Sequence, residues 1–155
     1  MTDQGKMSDR PELSDFLSGD PHRIWLAAGA TRICSDRAHL RELAGHVDQI
    51  ARATRGIDLG GAFVRNASHL ALALRILRFV VESDDCLCRF FPEDRMYDAH
   101  HLARAGRVRI LSDAMDRETW EQRYRVECTG CAAQFDVTEQ TGWHVPLWTW
   151  TKNPG

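Results

Sequence analysis

Apolar residues in the first half of the chain recur with the spacing of an α-helix. In the segment 35–54 they begin at Leu40, Leu43 and Val47 and continue every three or four positions. This spacing predicts one amphipathic helix, with Ser35 or Asp36 as its N-cap.

A second helix is predicted over 62–82, where apolar positions cover most of the helical circumference. A helix of this kind is buried on most sides. The glycine-rich segment 55–61 separates the two helices and predicts a turn. The segment 23–34 fits either a short helix or a strand, and 93–105 fits a short helix ended by Gly106.

After Gly106 the apolar period changes from 3.6 residues to two, which indicates β-strands. The turns between strands are expected at 112–117 and 139–142. Connections this short favour an antiparallel meander. The predicted strands are 107–110, 120–127, 133–138 and 143–151.

These patterns predict an α+β protein, in which an N-terminal helical hairpin packs on a C-terminal antiparallel sheet of about four strands. Residues 1–22 are polar and charged, which predicts a disordered tail. Within it, 12–17 could dock on another part of the protein, but a frayed turn is the favoured interpretation. The helical half is then 23–83, and the sheet subdomain is 84–155.

Composition is that of an ordinary globular protein, with 43% hydrophobic and 27% charged residues among 155. The formal net charge of −2 argues against a general nucleic-acid binder. Residues 1–22 lack the pattern of a signal peptide, and the most apolar run, 62–81, contains three arginines that a bilayer tolerates poorly. We therefore expect a cytoplasmic protein with no membrane segment, whose cysteines stay reduced.

Four cysteines form two close pairs, Cys86 with Cys88 and Cys128 with Cys131. A C-x-x-C turn points two sulfurs at one metal, and Gly130 supplies a residue that can adopt a positive φ in that turn. In the C-x-C pair, residues i and i+2 of an extended segment project to the same face. The spacing predicts one four-cysteine metal site.

The segment from Cys86 to about Thr151 resembles a zinc-ribbon subdomain, in which two cysteine-bearing turns on a small antiparallel sheet hold one structural Zn²⁺. The resemblance implies that Cys86, Cys88, Cys128 and Cys131 are the zinc ligands. This sequence departs from the ribbon pattern in its C-x-C turn and in Ala132, where ribbons often have glycine.

Other interpretations of the cysteines stay open. A catalytic zinc would recruit His100, His101 or His144, and a thiol–disulfide switch would use Cys128 with Cys131. The four cysteines would otherwise be unligated and buried. The fifth, Cys34, is expected to be a small buried hydrophobic residue.

Tryptophans are concentrated near the C-terminus, where Trp148 and Trp150 share a strand face with His144. These three residues are a candidate binding surface, because exposed aromatic side chains mark such surfaces. The alternative is that the tryptophans pack the sheet against the helices.

None of the common catalytic motifs occurs in the sequence, so we expect a small zinc-binding protein that acts through a protein partner, as an adaptor, a regulator or an immunity-type protein. One alternative is an enzyme of unfamiliar type with a zinc or histidine centre. A second alternative, nucleic-acid binding, requires one exposed face formed by the arginines at 107, 109, 123 and 125.

Overall fold

The computed structural model describes residues 10–61, 65–141 and 144–154. The chain divides into two compact units between Asp84 and Asp85. The first unit is helical and the second contains a four-stranded antiparallel sheet, which confirms the predicted α+β class. No helix among the described residues is both long and apolar enough to cross a bilayer.

The first unit contains five helices in its described part, where the sequence predicted a hairpin. Their bounds are α1 Leu13–Phe16, α2 Pro21–Ile33, α3 Arg37–Ala44, α4 Val47–Thr54 and α5 Asn66–Glu82. Helix α5 contacts α2, α3 and α4. It buries an apolar face that includes Leu72, Ile76 and Val80, so it is the central helix of this unit.

The predicted helix over 35–54 is split in two. Helix α3 ends at Ala44, and α4 begins at Val47 after a turn at Gly45 and His46. Glycine has a low helix propensity, and the His46 N–H bonds the Leu43 carbonyl at 2.8 Å in place of a regular helical bond. The apolar stripe survives the break, because Leu40 and Ile50 are both fully buried.

The ambiguous segment 23–34 is helical. Helix α2 begins after Asp20, whose carboxylate accepts a hydrogen bond from the His22 N–H at 2.9 Å, and Pro21 occupies its first turn. Residues 1–9 of the predicted tail lie outside the described residues. The expected frayed turn at 12–17 is instead α1, because the side chain of Phe16 is fully buried and anchors it.

The second unit begins with a 3₁₀ helix and one short α-helix, followed by the sheet. Its elements are the 3₁₀ helix Leu87–Glu93, α6 Ala99–Arg104, β1 Val108–Asp116, β2 Glu121–Cys128, β3 Gln134–Gln140 and β4 Leu147–Lys152. The strands form an antiparallel meander in the order β1-β2-β3-β4, so β1 and β4 are the edges. The fourth strand was predicted to begin at Trp143, which lies outside the described residues.

Strand β1 is longer than the sequence predicted. The pairing with β2 continues through Ser112 to Asp116, where a turn was expected, after a bulge at Leu111. A bulge reverses the alternation of faces, so a period-two pattern does not continue through the whole strand.

The predicted helix over 93–105 is shorter in the structure. Helix α6 begins only after Asp98, whose carboxylate caps the helix by accepting a hydrogen bond from the His100 N–H at 2.8 Å.

The sheet core is aromatic. Phe91, from the 3₁₀ helix, lies with its ring 5.0 Å from that of Trp150 and 6.0 Å from that of Phe135. Val126 and Val137 are buried on the neighbouring strands. This cluster packs the 3₁₀ helix against the sheet and fixes the position of the segment that carries Cys86 and Cys88.

Candidate metal centre

The first cysteine pair lies where the 3₁₀ helix begins. Cys86 has an extended backbone at the N-cap position, and Cys88 lies inside the helix. The sequence predicted that both cysteines lie in one extended segment. Instead, the backbone changes from extended at Cys86 to helical at Cys88. The change of backbone direction brings the two sulfurs together, and the Cys88 N–H donates a hydrogen bond to the Cys86 sulfur.

The second pair lies in the turn that follows β2. Cys128 is the last residue of the strand, and its carbonyl accepts from the Ala132 N–H at 2.9 Å. The Gly130 N–H points at the Cys128 sulfur at 3.4 Å. These hydrogen bonds close a tight turn over residues 128–132, and that turn carries both sulfurs.

Gly130 does not have the positive φ that we expected of it. The left-handed residue of this turn is Ala132, with a φ of 62°. Gly130 is required for space: a β-carbon there would lie 3.3 Å from the Cys86 sulfur and 3.7 Å from the Cys128 sulfur. The left-handed position after Cys131 is therefore occupied by alanine.

The two turns bring four sulfur atoms together. The Cys86 and Cys128 sulfurs are 3.5 Å apart and the Cys88 and Cys131 sulfurs 3.6 Å apart. All four lie within 4.8 Å of one another. Zn–S bonds of 2.3 Å in a tetrahedron place sulfurs about 3.8 Å apart, whereas a disulfide requires about 2.05 Å. The cluster is therefore reduced and can hold a metal ion.

Hydrogen bonding between the sulfurs separates their acidities. The pKa of Cys128 is lowered, mainly because the Cys88 thiol donates a hydrogen bond to it, and also because the N–H groups of Cys131 and Gly130 point at it. The pKa of Cys88 is raised by that same hydrogen bond and by burial. Burial also raises the pKa of Cys86. The cluster thus stabilises one thiolate before any metal binds.

Two residues that the sequence did not single out as supports hold the second turn. The Thr129 hydroxyl donates to the Gly106 carbonyl at 2.7 Å and lies 3.0 Å from the Arg107 carbonyl, to which the Thr129 N–H also donates. The Arg107 guanidinium lies 5.3 Å from the centre of the Phe91 ring. Arg107 therefore contacts the second cysteine turn and the 3₁₀ helix. No local sequence motif indicates this role of Arg107, because Phe91 and Thr129, which Arg107 contacts, are distant from it in the sequence.

The histidines considered as zinc ligands do not join this cluster. His100 Nε2 lies 3.0 Å from the Tyr124 hydroxyl, and its ring contacts Trp148 edge-on. Within the described ranges, the one group of three or more metal-binding side chains consists of the four cysteines. The geometry therefore offers a four-sulfur site without histidine.

The candidate surface at His144, Trp148 and Trp150 does not form. His144 is exposed, but Trp148 and Trp150 are only 3% and 4% exposed. The Trp150 indole N–H donates to the Tyr97 carbonyl at 2.8 Å, and Trp148 stacks on Tyr124. The two tryptophans face the covered side of the sheet, where they are packed as core residues.

The single arginine face required for nucleic-acid binding is also absent from the described part of the chain. Arg107 is buried, whereas Arg109 pairs with Glu127 and Arg125 with Asp136 at 3.0 Å. Arg123 pairs with Asp116 at 3.2 Å. Carboxylates on the same sheet thus offset the exposed arginine charges.

No family model, curated protein or solved structure matches the chain. The functional proposal is therefore based on the geometry of the site.

Proposed function

We propose that the chain is a small zinc-binding protein in which Cys86, Cys88, Cys128 and Cys131 hold one structural Zn²⁺, and that it acts by binding a protein partner. The observation that carries the zinc assignment is the convergence of four sulfurs within 4.8 Å. Four thiolates are a donor set typical of structural zinc, because they leave no coordination position open for a substrate.

The arrangement of the site also fits a zinc-ribbon-like subdomain. One cysteine turn lies at the start of the 3₁₀ helix and the other between β2 and β3 of an antiparallel sheet. In this proposal, zinc joins these two segments, which are about 40 residues apart in the chain. Structural zinc typically contributes on the order of 10 kcal/mol or more to folding.

The proposed partner site is the hairpin surface, defined by Leu111, Met115 and Trp120. Five large hydrophobic side chains are exposed among the described residues, and three of them belong to the hairpin of β1 and β2. Trp120 is 71% exposed and has a φ of 58°, which is costly for a residue other than glycine. Exposed apolar side chains clustered on one hairpin are typical of a binding surface.

The backbone next to this surface is suited to an extended partner segment. Among the described strands, β1 pairs only with β2, and the other edge of such a strand presents backbone N–H and C=O groups. A strand of the partner can add to this edge and contact Leu111 and Met115 with its side chains. We therefore propose an extended peptide segment of another protein as the occupant.

Metal analysis of the purified protein tests the zinc assignment. We expect about one Zn²⁺ per chain, as a tetrahedral four-sulfur site requires. Serine at position 86, 88, 128 or 131 should each reduce the bound zinc, whereas Cys34→Ser should not, because Cys34 lies outside the cluster. Folded wild-type protein that neither contains nor takes up zinc would contradict the assignment.

Partner capture with matched variants tests the hairpin surface. We expect one or more proteins to be recovered by the wild-type chain and lost when Leu111, Met115 and Trp120 are all changed to serine. Trp25→Ser is the control, because Trp25 is an exposed aromatic residue outside the hairpin surface. Equal recovery by the triple variant would rule out this surface as the docking site.

A further inference from the structure

The four sulfurs of the cluster differ in their accessibility. Cys88 and Cys128 are only 4% and 3% exposed, and Cys86 is half-buried. Cys131 is exposed. A reagent in solution therefore has a direct approach to one sulfur of the four.

The approach to Cys131 is an open groove on the second unit. Two small residues, Ala132 and Ala133, line the groove together with Cys131. Arg125 and Lys152 also line it, and both carry a positive charge. Cys131 is the one cysteine of the cluster that lines this groove.

We propose that Cys131 is an oxidation site at which a hydroperoxide oxidises the cluster, that Cys88 then closes a disulfide with it, and that the metal is released. This inference rests on the proposed zinc site. Cys88 is the expected partner because its sulfur lies 3.6 Å from that of Cys131.

The proposed chemistry takes place in two steps. The Cys131 thiolate attacks the outer oxygen of the hydroperoxide, the O–O bond breaks, and the products are a Cys131 sulfenic acid and an alcohol, or water when hydrogen peroxide is the oxidant. The Cys88 thiolate then attacks the Cys131 sulfur, forms the S–S bond and expels hydroxide. Two thiolates lose two electrons in total, and the hydroperoxide gains them.

Disulfide formation removes two of the four metal ligands. Cys86 and Cys128 remain, and two thiolates bind zinc far more weakly than four do. The restraint between the 3₁₀ helix and the turn after β2 is then lost. A dithiol reductant would restore both thiolates and the site, which makes the modification reversible.

Zinc-loaded wild-type protein treated with hydrogen peroxide provides the test. Zinc content is measured first, and released zinc is followed with a chromogenic chelator while peptides are mapped by mass spectrometry. We expect one zinc released per disulfide formed, a Cys88–Cys131 linkage, and a sulfenic acid trapped by dimedone at Cys131 first. Retained zinc, first trapping at Cys86, or a different linkage would overturn the proposal.

Variants that keep all four ligands separate access from metal binding. Ala133→Leu fills part of the groove and should slow peroxide-driven zinc release severalfold at an unchanged zinc content. Cys34→Ser should release zinc at the wild-type rate. An unchanged rate in Ala133→Leu would argue against entry through the groove. If the protein contains no zinc before peroxide is added, that result contradicts both the zinc assignment and this inference.

Discussion

Residue 130 and Cys86 approach so closely that glycine alone fits without displacement: a β-carbon on residue 130 would lie 3.3 Å from the Cys86 sulfur. This contact joins the second cysteine turn to the first. Since Gly130 is not in the left-handed region, its role is steric.

Gly130→Ala should therefore weaken metal binding without straining the backbone. Overpacking of this kind costs about 1–3 kcal/mol, equivalent to roughly 5- to 150-fold in zinc affinity. Competition with a chelator of known affinity measures the change. Gly56→Ala is a poor control because Gly56 has a φ of 78°. Gly29→Ala is a better control, because a β-carbon at residue 29 meets nothing within 4 Å. The zinc affinity of this variant should be unchanged.

Ala132→Gly should stabilise the protein. Ala132 has a φ of 62°, and a left-handed residue with a β-carbon costs about 1–2 kcal/mol. Glycine relieves this cost but adds conformational freedom to the unfolded chain, so the expected net gain is about 0.5–1 kcal/mol. Denaturant unfolding measures it. Ala133→Gly, at the neighbouring residue without a positive φ, should give no gain.

Thr129→Val should destabilise the second unit by about 0.5–1.5 kcal/mol, because the Gly106 carbonyl loses the hydroxyl that donates to it. The affected contacts are those of the Thr129 hydroxyl with the Gly106 and Arg107 carbonyls, at 2.7 and 3.0 Å. Thermal unfolding of the zinc-loaded protein measures the loss. Thr149→Val, at an exposed position of β4, is the matched control. Equal stability of both variants would contradict the proposed role of Thr129.

Zinc affinity should fall steeply as the pH is lowered. The pKa values of Cys86 and Cys88 are raised, so both thiols carry protons at neutral pH that the metal must displace. The pKa of Cys128 is lowered, so this residue contributes a thiolate that needs no such displacement until the pH becomes acidic.

Displacement of two protons predicts that the apparent affinity changes by at least about 100-fold per pH unit near neutrality, increasing with pH. Chelator competition at a series of pH values, corrected for protonation of the chelator, gives the slope. A pH-independent affinity would exclude binding through these protonated thiols.

Removal of zinc should loosen the second unit and leave the first folded. The four cysteines of the cluster all lie after Asp85, within the sheet-containing unit. On treatment with a chelator we expect the fluorescence of the tryptophans in that unit to change while most of the helical circular dichroism remains. In Trp25→Phe, all tryptophan emission comes from the second unit, so its response to the chelator should be at least as large as in the wild type.

Local patterns in the sequence were sufficient for the classes of the main elements. The apolar stripe through Leu40 and Ile50, the nearly all-round apolar segment that became α5, and the period-two alternation around Val126 each describe which face of an element is hidden. The grouping of Cys86 and Cys88 with Cys128 and Cys131 followed from the spacing within each pair and from the location of both pairs at the edges of predicted elements.

Errors arose where one local pattern had two structural solutions. Gly45 ends one helix and allows another to begin, so a continuous stripe became two helices. The bulge at Leu111 reverses the alternation of β1, so part of a strand looked like a turn. Phe16 looked like part of a polar tail, although its side chain is fully buried.

By itself, the sequence determined the α+β class, the central helix, the meander and the four cysteines, because periodicity and ligand spacing are properties of neighbouring residues. Tertiary structure decided which sulfur is exposed, that Gly130 provides space while Ala132 takes the left-handed conformation, and that Trp148 and Trp150 are buried while Trp120 is exposed. Those properties depend on which distant segments cover a residue, and the local order of side chains does not specify that.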